Sequence, residues 1–166
     1  RDYYASRGLG DVYKRQGRAW APNNPWVSGY MDESVRPAYA FGYGLSYTTF
    51  EIAAPVMSKK EYTTGEPVVL TTSVRNTGKY TGKETIQLYL QDVASSVTRP
   101  VIELCGIQQV ELAPGDTKEI KFTLSEQDFG FFNTERKFIT EPGGFKLFVG
   151  NSSDNLKGTE FELIVK

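Results

Sequence analysis

The sequence predicts an all-β protein: an antiparallel β-sandwich of about seven short strands, preceded by an irregular segment rich in aromatic residues. Two observations predict this architecture. Apolar residues alternate with polar ones over several short runs after Phe50, as in strands with one face on a core and one toward water. Turn residues separate these runs, and no segment of a dozen residues carries the apolar stripe of an amphipathic helix.

The chain before Phe50 divides into a head, residues 1–16, and a strap, residues 17–49. The head has no apolar run of the kind found in a secretory signal. Three prolines and many glycines predict an irregular, extended strap. Its density of aromatics is too high for a disordered linker, so we expect it to lie against another surface. These aromatics are Trp20, Trp26, Tyr30, Tyr39, Phe41, Tyr43 and Tyr47.

The domain proper is expected over residues 50–166, with alternating runs whose apolar members should face the core. In chain order these members are Val68, Leu70, Thr72 and Val74; Ile86, Leu88 and Leu90; Ile120, Phe122 and Leu124; Phe145, Leu147 and Val149; and Phe161, Leu163 and Val165. Pro-Gly pairs at 114–115 and 142–143 predict tight turns of type II. Ser125 and Asp128 predict a cap on one short helical turn. Regularly spaced short strands favour a sandwich of the immunoglobulin or fibronectin type.

Composition excludes several classes of function. Nineteen basic residues balance twenty acidic ones, which predicts no electrostatic binding of nucleic acid or of an anionic membrane. The chain has no histidine, so histidine-based catalytic triads and His-ligated zinc are excluded. One cysteine, Cys105, excludes an internal disulfide and is expected to pack as a small hydrophobic residue. Nothing in the sequence marks a metal site or implies a cofactor.

Several short motifs resemble a known family when their order and spacing are taken together. They are residues 41–50 (FGYGLSYTTF), 76–78 (NTG), 87–92 (QLYLQD), 95–100 (SSVTRP), 112–115 (LAPG) and 141–145 (EPGGF). This series resembles the C-terminal fibronectin type III-like domain of family 3 glycoside hydrolases, of the periplasmic β-glucosidase type. The resemblance begins abruptly at Gly17, so we interpret residues 1–16 as a sequence scar.

The resemblance implies a role within a longer enzyme. Family 3 enzymes place a (β/α)8 barrel first, an α/β sandwich second and this domain last. The barrel supplies an aspartate nucleophile, and the second domain usually supplies the acid/base carboxylate. The expected partners are therefore the barrel and α/β sandwich of a parent chain. That parent would remove terminal β-glucosyl residues from a carbohydrate with retention, in the periplasm or outside the cell.

Carboxylates are the candidates for catalysis within the chain itself. The pairs are Asp32 with Glu33, Glu126 with Asp128, and Glu160 with Glu162. A retaining glycosidase needs two carboxyl groups roughly 5–5.5 Å apart. Adjacent residues of an extended chain point to opposite sides, and most carboxylates in proteins are solvated. We therefore expect this chain to be inactive alone.

The strap aromatics and Arg99 are the candidate docking residues. Aromatic residues are enriched at interfaces because of their large buried area, which favours docking of the strap on the neighbouring domains. Arg99 has two interpretations: a contact to a neighbouring domain, or a loop arginine bonded to carbonyls of its own domain. Gln87 and Tyr89 are expected on the outer sheet face. The main hypothesis is an accessory domain that braces the catalytic domains; the alternatives are a stand-alone carbohydrate-binding module and an adhesive fibronectin-like domain.

Overall fold

A computed structural model describes residues 37–165 of the chain. The head and the candidate docking residues Trp20, Trp26 and Tyr30 lie outside the described residues. The elements in chain order are β1 (Phe50–Ile52), β2 (Val56–Met57), β3 (Glu61–Thr63), β4 (Val68–Asn76), β5 (Gly82–Asp92), β6 (Glu103–Leu112), β7 (Thr117–Leu124), α1 (Glu126–Phe129), β8 (Phe131–Phe132), β9 (Phe138–Ile139), β10 (Gly143–Ser152) and β11 (Asn155–Ile164).

The long strands form two sheets that pack face to face. In the first sheet β4 is central, with β7 along one edge and the short β1 and β2 along the other, all antiparallel. The second sheet has the order β3-β11-β10-β5-β6. Its strands are antiparallel except for β3, which runs parallel to β11. The predicted all-β, antiparallel sandwich is confirmed.

The core lies between the sheets and consists of the apolar positions that alternation predicts. On β4 the buried residues alternate with partly exposed ones from Val68 to Asn76. Fifteen of the sixteen predicted core positions are buried, and Val165 is the exception at 68% exposed. Val165 faces water because β11 ends at Ile164, one residue earlier. One end of the core is aromatic: the rings of Phe129, Phe145 and Phe161 lie 5.5–5.7 Å apart.

The short helical turn is confirmed, and one of the two predicted turns is of the expected type. The backbone N–H of Ser125 donates to the Asp128 carboxylate at 2.7 Å, which completes the capping box of α1. Gly115 has a φ of +83°, and the N–H of Asp116 donates to the carbonyl of Ala113, as a type II turn requires. Gly143 differs from the expectation because its φ is +150° and it already begins β10.

The edge formed by β1, β2 and β3 is divided into shorter strands than the sequence pattern indicates. β1 and β2 pair with β4, whereas β3 pairs with β11 of the opposite sheet. Pro55 lies between β1 and β2, and a proline lacks the N–H that a continuous ladder needs. The chain therefore changes sheets in short steps along this edge. Within residues 37–165 no helix is long and apolar enough to span a membrane.

Candidate docking surface

The end of the strap is fixed to the sandwich by the buried side chain of Asn76. Its Oδ1 accepts hydrogen bonds from the Thr48 hydroxyl at 2.8 Å and from the Gly78 N–H at 3.0 Å. Its Nδ2 donates to the carbonyls of Tyr80 and Leu112 at 2.8 and 2.9 Å. All four hydrogen-bonding positions of the amide are used, so Thr48 belongs to the folded domain although it precedes β1.

A second buried amide, Gln87, holds the middle of the strap. Its Nε2 donates to the carbonyl of Gly42 at 3.0 Å and to that of Asn151 at 2.8 Å. Its Oε1 accepts a hydrogen bond from the Tyr89 hydroxyl. The N–H of Ser153 also donates to the carbonyl of Phe41 at 2.9 Å. The strap is thus bonded to the domain largely through its own backbone.

Gln87 and Tyr89 lie on the outer sheet face, as predicted, but they are buried there. They alternate along β5 with the core residues Ile86, Leu88 and Leu90, and yet only 5% of Gln87 and 3% of Tyr89 is exposed. The strap backbone at Gly42 lies directly over Gln87. Burial raises the pKa of the Tyr89 phenol. The alternation of residues along a strand predicts which face a residue lies on, but it does not predict that another segment of the chain covers that face.

The large side chains of the described strap point away from the sandwich. Their exposed fractions are 73% for Tyr39, 66% for Phe41, 50% for Tyr43, 89% for Leu45 and 99% for Tyr47. We call these five residues the aromatic stripe. Small residues, Ala40, Gly42, Gly44 and Ser46, occupy the positions between them. No charged residue occurs from Pro37 to Phe50, so no charge in this segment favours its exposure to water.

The aromatic stripe is a large exposed apolar surface. An aromatic side chain carries about 150–250 Å² of surface, so the four exposed rings present roughly 600 Å² of largely apolar area. The largest apolar patch of an ordinary monomer is about 300–600 Å² and is often functional. Leu45 belongs to the stripe and is not among the docking residues predicted from the sequence; the alternation of large and small residues from Tyr39 to Tyr47 is the signal that would include it.

Arg99 is bonded within its own domain. Its Nη1 lies 3.2 Å from the Asp92 carboxylate and 2.9 Å from the carbonyl of Phe129, while Nη2 lies 3.2 Å from Glu103. The guanidinium also lies over the ring of Phe131, 5.2 Å from its centroid. Only 10% of the Arg99 side chain is exposed. These contacts correspond to the second of the two interpretations of this residue, a scaffold for its own loops.

The candidate catalytic carboxylates occupy ordinary surface positions where they are described. Asp128 caps α1 and Glu126 is exposed. Glu160 and Glu162 are exposed on β11 and alternate with the buried Phe161 and Leu163. Asp32 and Glu33 lie outside the described residues. Within residues 37–165, no three acidic or cysteine side chains converge in a way that would hold a metal ion.

Cys105 packs against the edge of the core, as expected for a small hydrophobic residue. Its thiol donates to the carbonyl of Leu88 at 3.4 Å. Burial raises its pKa to about 12, with a smaller contribution from the negative charge of Asp128. The thiol is therefore protonated at neutral pH and is a poor nucleophile.

Comparison with known proteins agrees with this fold. Residues 84–153 match the family model of the fibronectin type III-like domain. The chain is 40% identical over 150 residues to the periplasmic β-glucosidase of Salmonella typhimurium, an alignment that covers 89% of this chain and 20% of that protein. It is 44% identical over 137 residues to β-glucosidase BoGH3A of Bacteroides ovatus, over 81% of this chain and 18% of the relative.

A solved structure gives the same result. The crystal structure of a mutant β-glucosidase from Listeria innocua in complex with laminaribiose superposes with a TM-score of 0.83 at 38% identity, over 89% of this chain and 21% of that chain. This chain therefore spans about a fifth of the length of the relatives that it matches.

Proposed function

The chain belongs to the fibronectin type III-like domains of family 3 glycoside hydrolases, and from this premise we propose that it is a non-catalytic accessory domain that braces the catalytic domains of a β-glucosidase. In this proposal the aromatic stripe docks on the portion of a longer parent chain that precedes it. The parent would hydrolyse terminal β-glucosyl residues with retention of configuration. Because one relative is named a periplasmic enzyme, we place the parent in the periplasm or outside the cell.

The observation that carries the proposal is the outward presentation of the aromatic stripe on an anchored backbone. Gln87 binds the carbonyl of Gly42 and Asn76 binds the hydroxyl of Thr48, so the backbone that carries Tyr39 to Tyr47 is held before any partner binds. A surface ordered in advance loses less conformational entropy on docking. The stripe carries no charge, which suits a partner surface that is apolar and offers acceptors to the tyrosine hydroxyls.

The positions of the carboxylates support a non-catalytic role. Glu160 and Glu162 are exposed on the outer face of a strand, and Asp128 is engaged at the N-terminus of α1. Among the described ion pairs, Asp92 is the one nearly buried carboxylate, with 4% of its side chain exposed. Its charge is neutralised by Arg99. A glycosidase acid needs a free approach to the glycosidic oxygen, and the Asp92 carboxylate is instead bonded to Arg99.

A chimera with a complete relative tests the docking. The matched segment of the Salmonella periplasmic β-glucosidase is replaced by the corresponding segment of this chain, and hydrolysis of an aryl β-glucoside is followed after heating. We expect serine at Tyr39, Phe41, Tyr43 and Tyr47 together to shorten the half-life of activity about tenfold or more, since several interface anchors are removed. Serine at the exposed Val56 and Ile164 is the matched control and should leave the half-life unchanged.

Two results would overturn the proposal. One is an unchanged half-life in the stripe variant of the chimera. The other is hydrolysis of the aryl β-glucoside by the isolated 166-residue chain at a rate that Glu160→Gln or Glu162→Gln abolishes.

Carbohydrate binding by the same stripe is the second candidate, because two of its rings are neighbours with exposed surface. The ring centroids of Tyr39 and Tyr43 lie 5.3 Å apart with 35° between the planes. Titration of the isolated chain with laminaribiose, followed by NMR, separates the two functions. Saturable shifts at Tyr39 and Tyr43 that serine substitution removes would favour sugar binding over docking.

A further inference from the structure

A second exposed apolar surface lies on the short hairpin formed by β8 and β9. Phe131 pairs with Ile139, and Phe132 pairs with Phe138. Phe131 is turned inward and 9% exposed, whereas Phe132 is 67% and Phe138 49% exposed. The two exposed rings contact each other edge to face, with centroids 5.4 Å apart. We call this hairpin, residues 131–139, the finger.

The finger is held firmly to the domain rather than being a loose loop. The N–H of Asn133 donates to the carbonyl of Lys137, and its Oδ1 accepts from the N–H groups of Glu135 and Lys137, all at 3.0 Å. At the base, the ring of Phe138 occupies the space that a Cβ on Gly130 would fill. The guanidinium of Arg99 covers the inner face of Phe131. The exposed rings are therefore presented on a fixed support.

The tip of the finger carries a backbone conformation that favours glycine. Arg136 has a φ of +62°, and among the described residues it is the one non-glycine residue with a positive φ. An arginine in this region is strained by roughly 1 kcal/mol or more relative to glycine. Glu135 and Lys137 form an ion pair at 2.9 Å, and Arg136 makes no ion pair with a described residue. The finger thus carries an exposed arginine at its turn, two residues before Phe138, that has no acidic partner among the described residues.

The finger and the aromatic stripe lie at different positions along β5. Gln87, in the middle of β5, binds the strap at Gly42. Asp92, at the end of β5, binds Arg99, which in turn covers the finger. Five residue steps separate Gln87 from Asp92, which is about 16 Å at roughly 3.3 Å per residue. The two surfaces are therefore separate, and a contact confined to the stripe leaves the finger uncovered.

We infer that the finger is a second docking element, which inserts Phe132, Phe138 and Arg136 into an apolar, carboxylate-bearing pocket on another domain of the same parent chain. This inference rests on the proposed bracing function, because a brace needs two separate contacts and the stripe supplies one. The charge of Arg136 selects a partner surface with an acidic group beside apolar residues. Phenylalanine and arginine are both enriched at the centres of protein interfaces. The rings expose roughly 230 Å², which suits an anchor within a larger contact and is too little for a dimer of this chain on its own.

Arg136→Gly is the most informative variant for a test. Glycine relaxes the positive φ, so the isolated chain should unfold at an equal or higher urea concentration than the native chain. In the chimera with the Salmonella enzyme, the same change removes the charged anchor, and we expect a half-life of activity about tenfold shorter on heating. Phe132→Ser, at the more exposed ring, should act in the same direction. Val56→Ser is the control in both settings.

The outcomes separate this inference from the proposed function. If the stripe variant shortens the half-life of the chimera and both finger variants leave it unchanged, the second docking element is refuted and the proposed function stands. If neither the stripe nor the finger variants change it, both fail. Saturable NMR shifts of Phe132 and Phe138 on addition of laminaribiose to the isolated chain would overturn docking in favour of a sugar site.

Discussion

Gly42 determines how closely the strap approaches the sandwich. Its φ is +78°, and a Cβ at this position would lie 2.1 Å from Oε1 of Gln87. Both the backbone conformation and the available space therefore require glycine. Gly44, two residues further on, has open space around its Cβ position.

Gly42→Ala is expected to release the strap from Gln87, at a cost of about 1–3 kcal/mol from the positive φ alone. The measurement is amide hydrogen exchange at Tyr43 and Ser153, whose N–H groups donate to the strap carbonyls of Ala40 and Phe41 respectively. Exchange at both amides should become faster. Gly44→Ala is the matched control and should leave their protection as it is. Equal protection in the two variants would contradict the account of how the strap is held.

Cys105 makes the stability of the folded domain depend on pH in the alkaline range. Its pKa is raised from an ordinary value of 9.0 to about 12, so the folded state retains a proton that the unfolded state releases. This contribution to stability is complete below pH 9 and is lost as the pH rises from about 9 to about 12. Urea unfolding should show a steeper decrease in stability over that range for the native chain than for Cys105→Ala. Parallel curves would show that the thiol is not buried as described.

At the scale of elements, Arg99 connects three segments that are distant in sequence. It joins Asp92 at the end of β5, Glu103 at the start of β6 and the carbonyl of Phe129 at the end of α1. The loop between β5 and β6 and the base of the finger thus share one guanidinium. Removing one partner of a buried ion pair leaves an uncompensated charge, which costs about 3–5 kcal/mol.

We therefore expect Arg99→Ala to destabilise the isolated chain by about 3 kcal/mol in urea unfolding. Lys137→Ala breaks the exposed pair with Glu135 and should change stability by less than about 1 kcal/mol. If Arg99 acts chiefly by docking, Arg99→Ala will leave the isolated chain as stable as the native one. That result would restore the first interpretation of this residue.

The elements differ in how well sequence alone predicts them, and the reason is the environment of each strand. β4 and β7 have one face on the core and one toward solvent, so simple alternation marks their buried residues. β6 lies at the edge of the second sheet with most positions partly exposed, and its register with β5 shifts between Leu88 and Tyr89. Polar and apolar residues alternate in this strand only from Gln109 to Leu112, which is too short a run to mark the whole strand. β1, β2 and β3 are too short for a period to be recognised.

The sequence predicts only the part of the candidate surface that local composition marks. The excess of aromatics in the strap predicts docking, which stays a prediction, and Tyr39, Phe41, Tyr43 and Tyr47 are exposed on the described part. The sequence alone indicates that the two anchors of the strap are an ordinary turn residue, Asn76, and a residue on the outer sheet face, Gln87. Their role depends on contacts 28 and 45 residues away in sequence, which local patterns do not contain.

At the scale of the whole molecule, the sandwich presents two separate exposed apolar surfaces. The aromatic stripe is bound over the middle of β5 at Gln87, and the finger lies beside Arg99 at the end of β5. An accessory domain of this form resists the separation of its neighbours only if its unfolding is coupled to theirs. Coupled unfolding is therefore the property that distinguishes a brace from a domain that is merely attached.

Differential scanning calorimetry of the chimera tests this claim most directly. We predict that the native chimera unfolds in one transition, and that serine at Tyr39, Phe41, Tyr43 and Tyr47 splits it into two, one of them at the temperature at which the isolated chain unfolds. Two transitions in the native chimera, with the first at the temperature of the isolated chain, would contradict the bracing function.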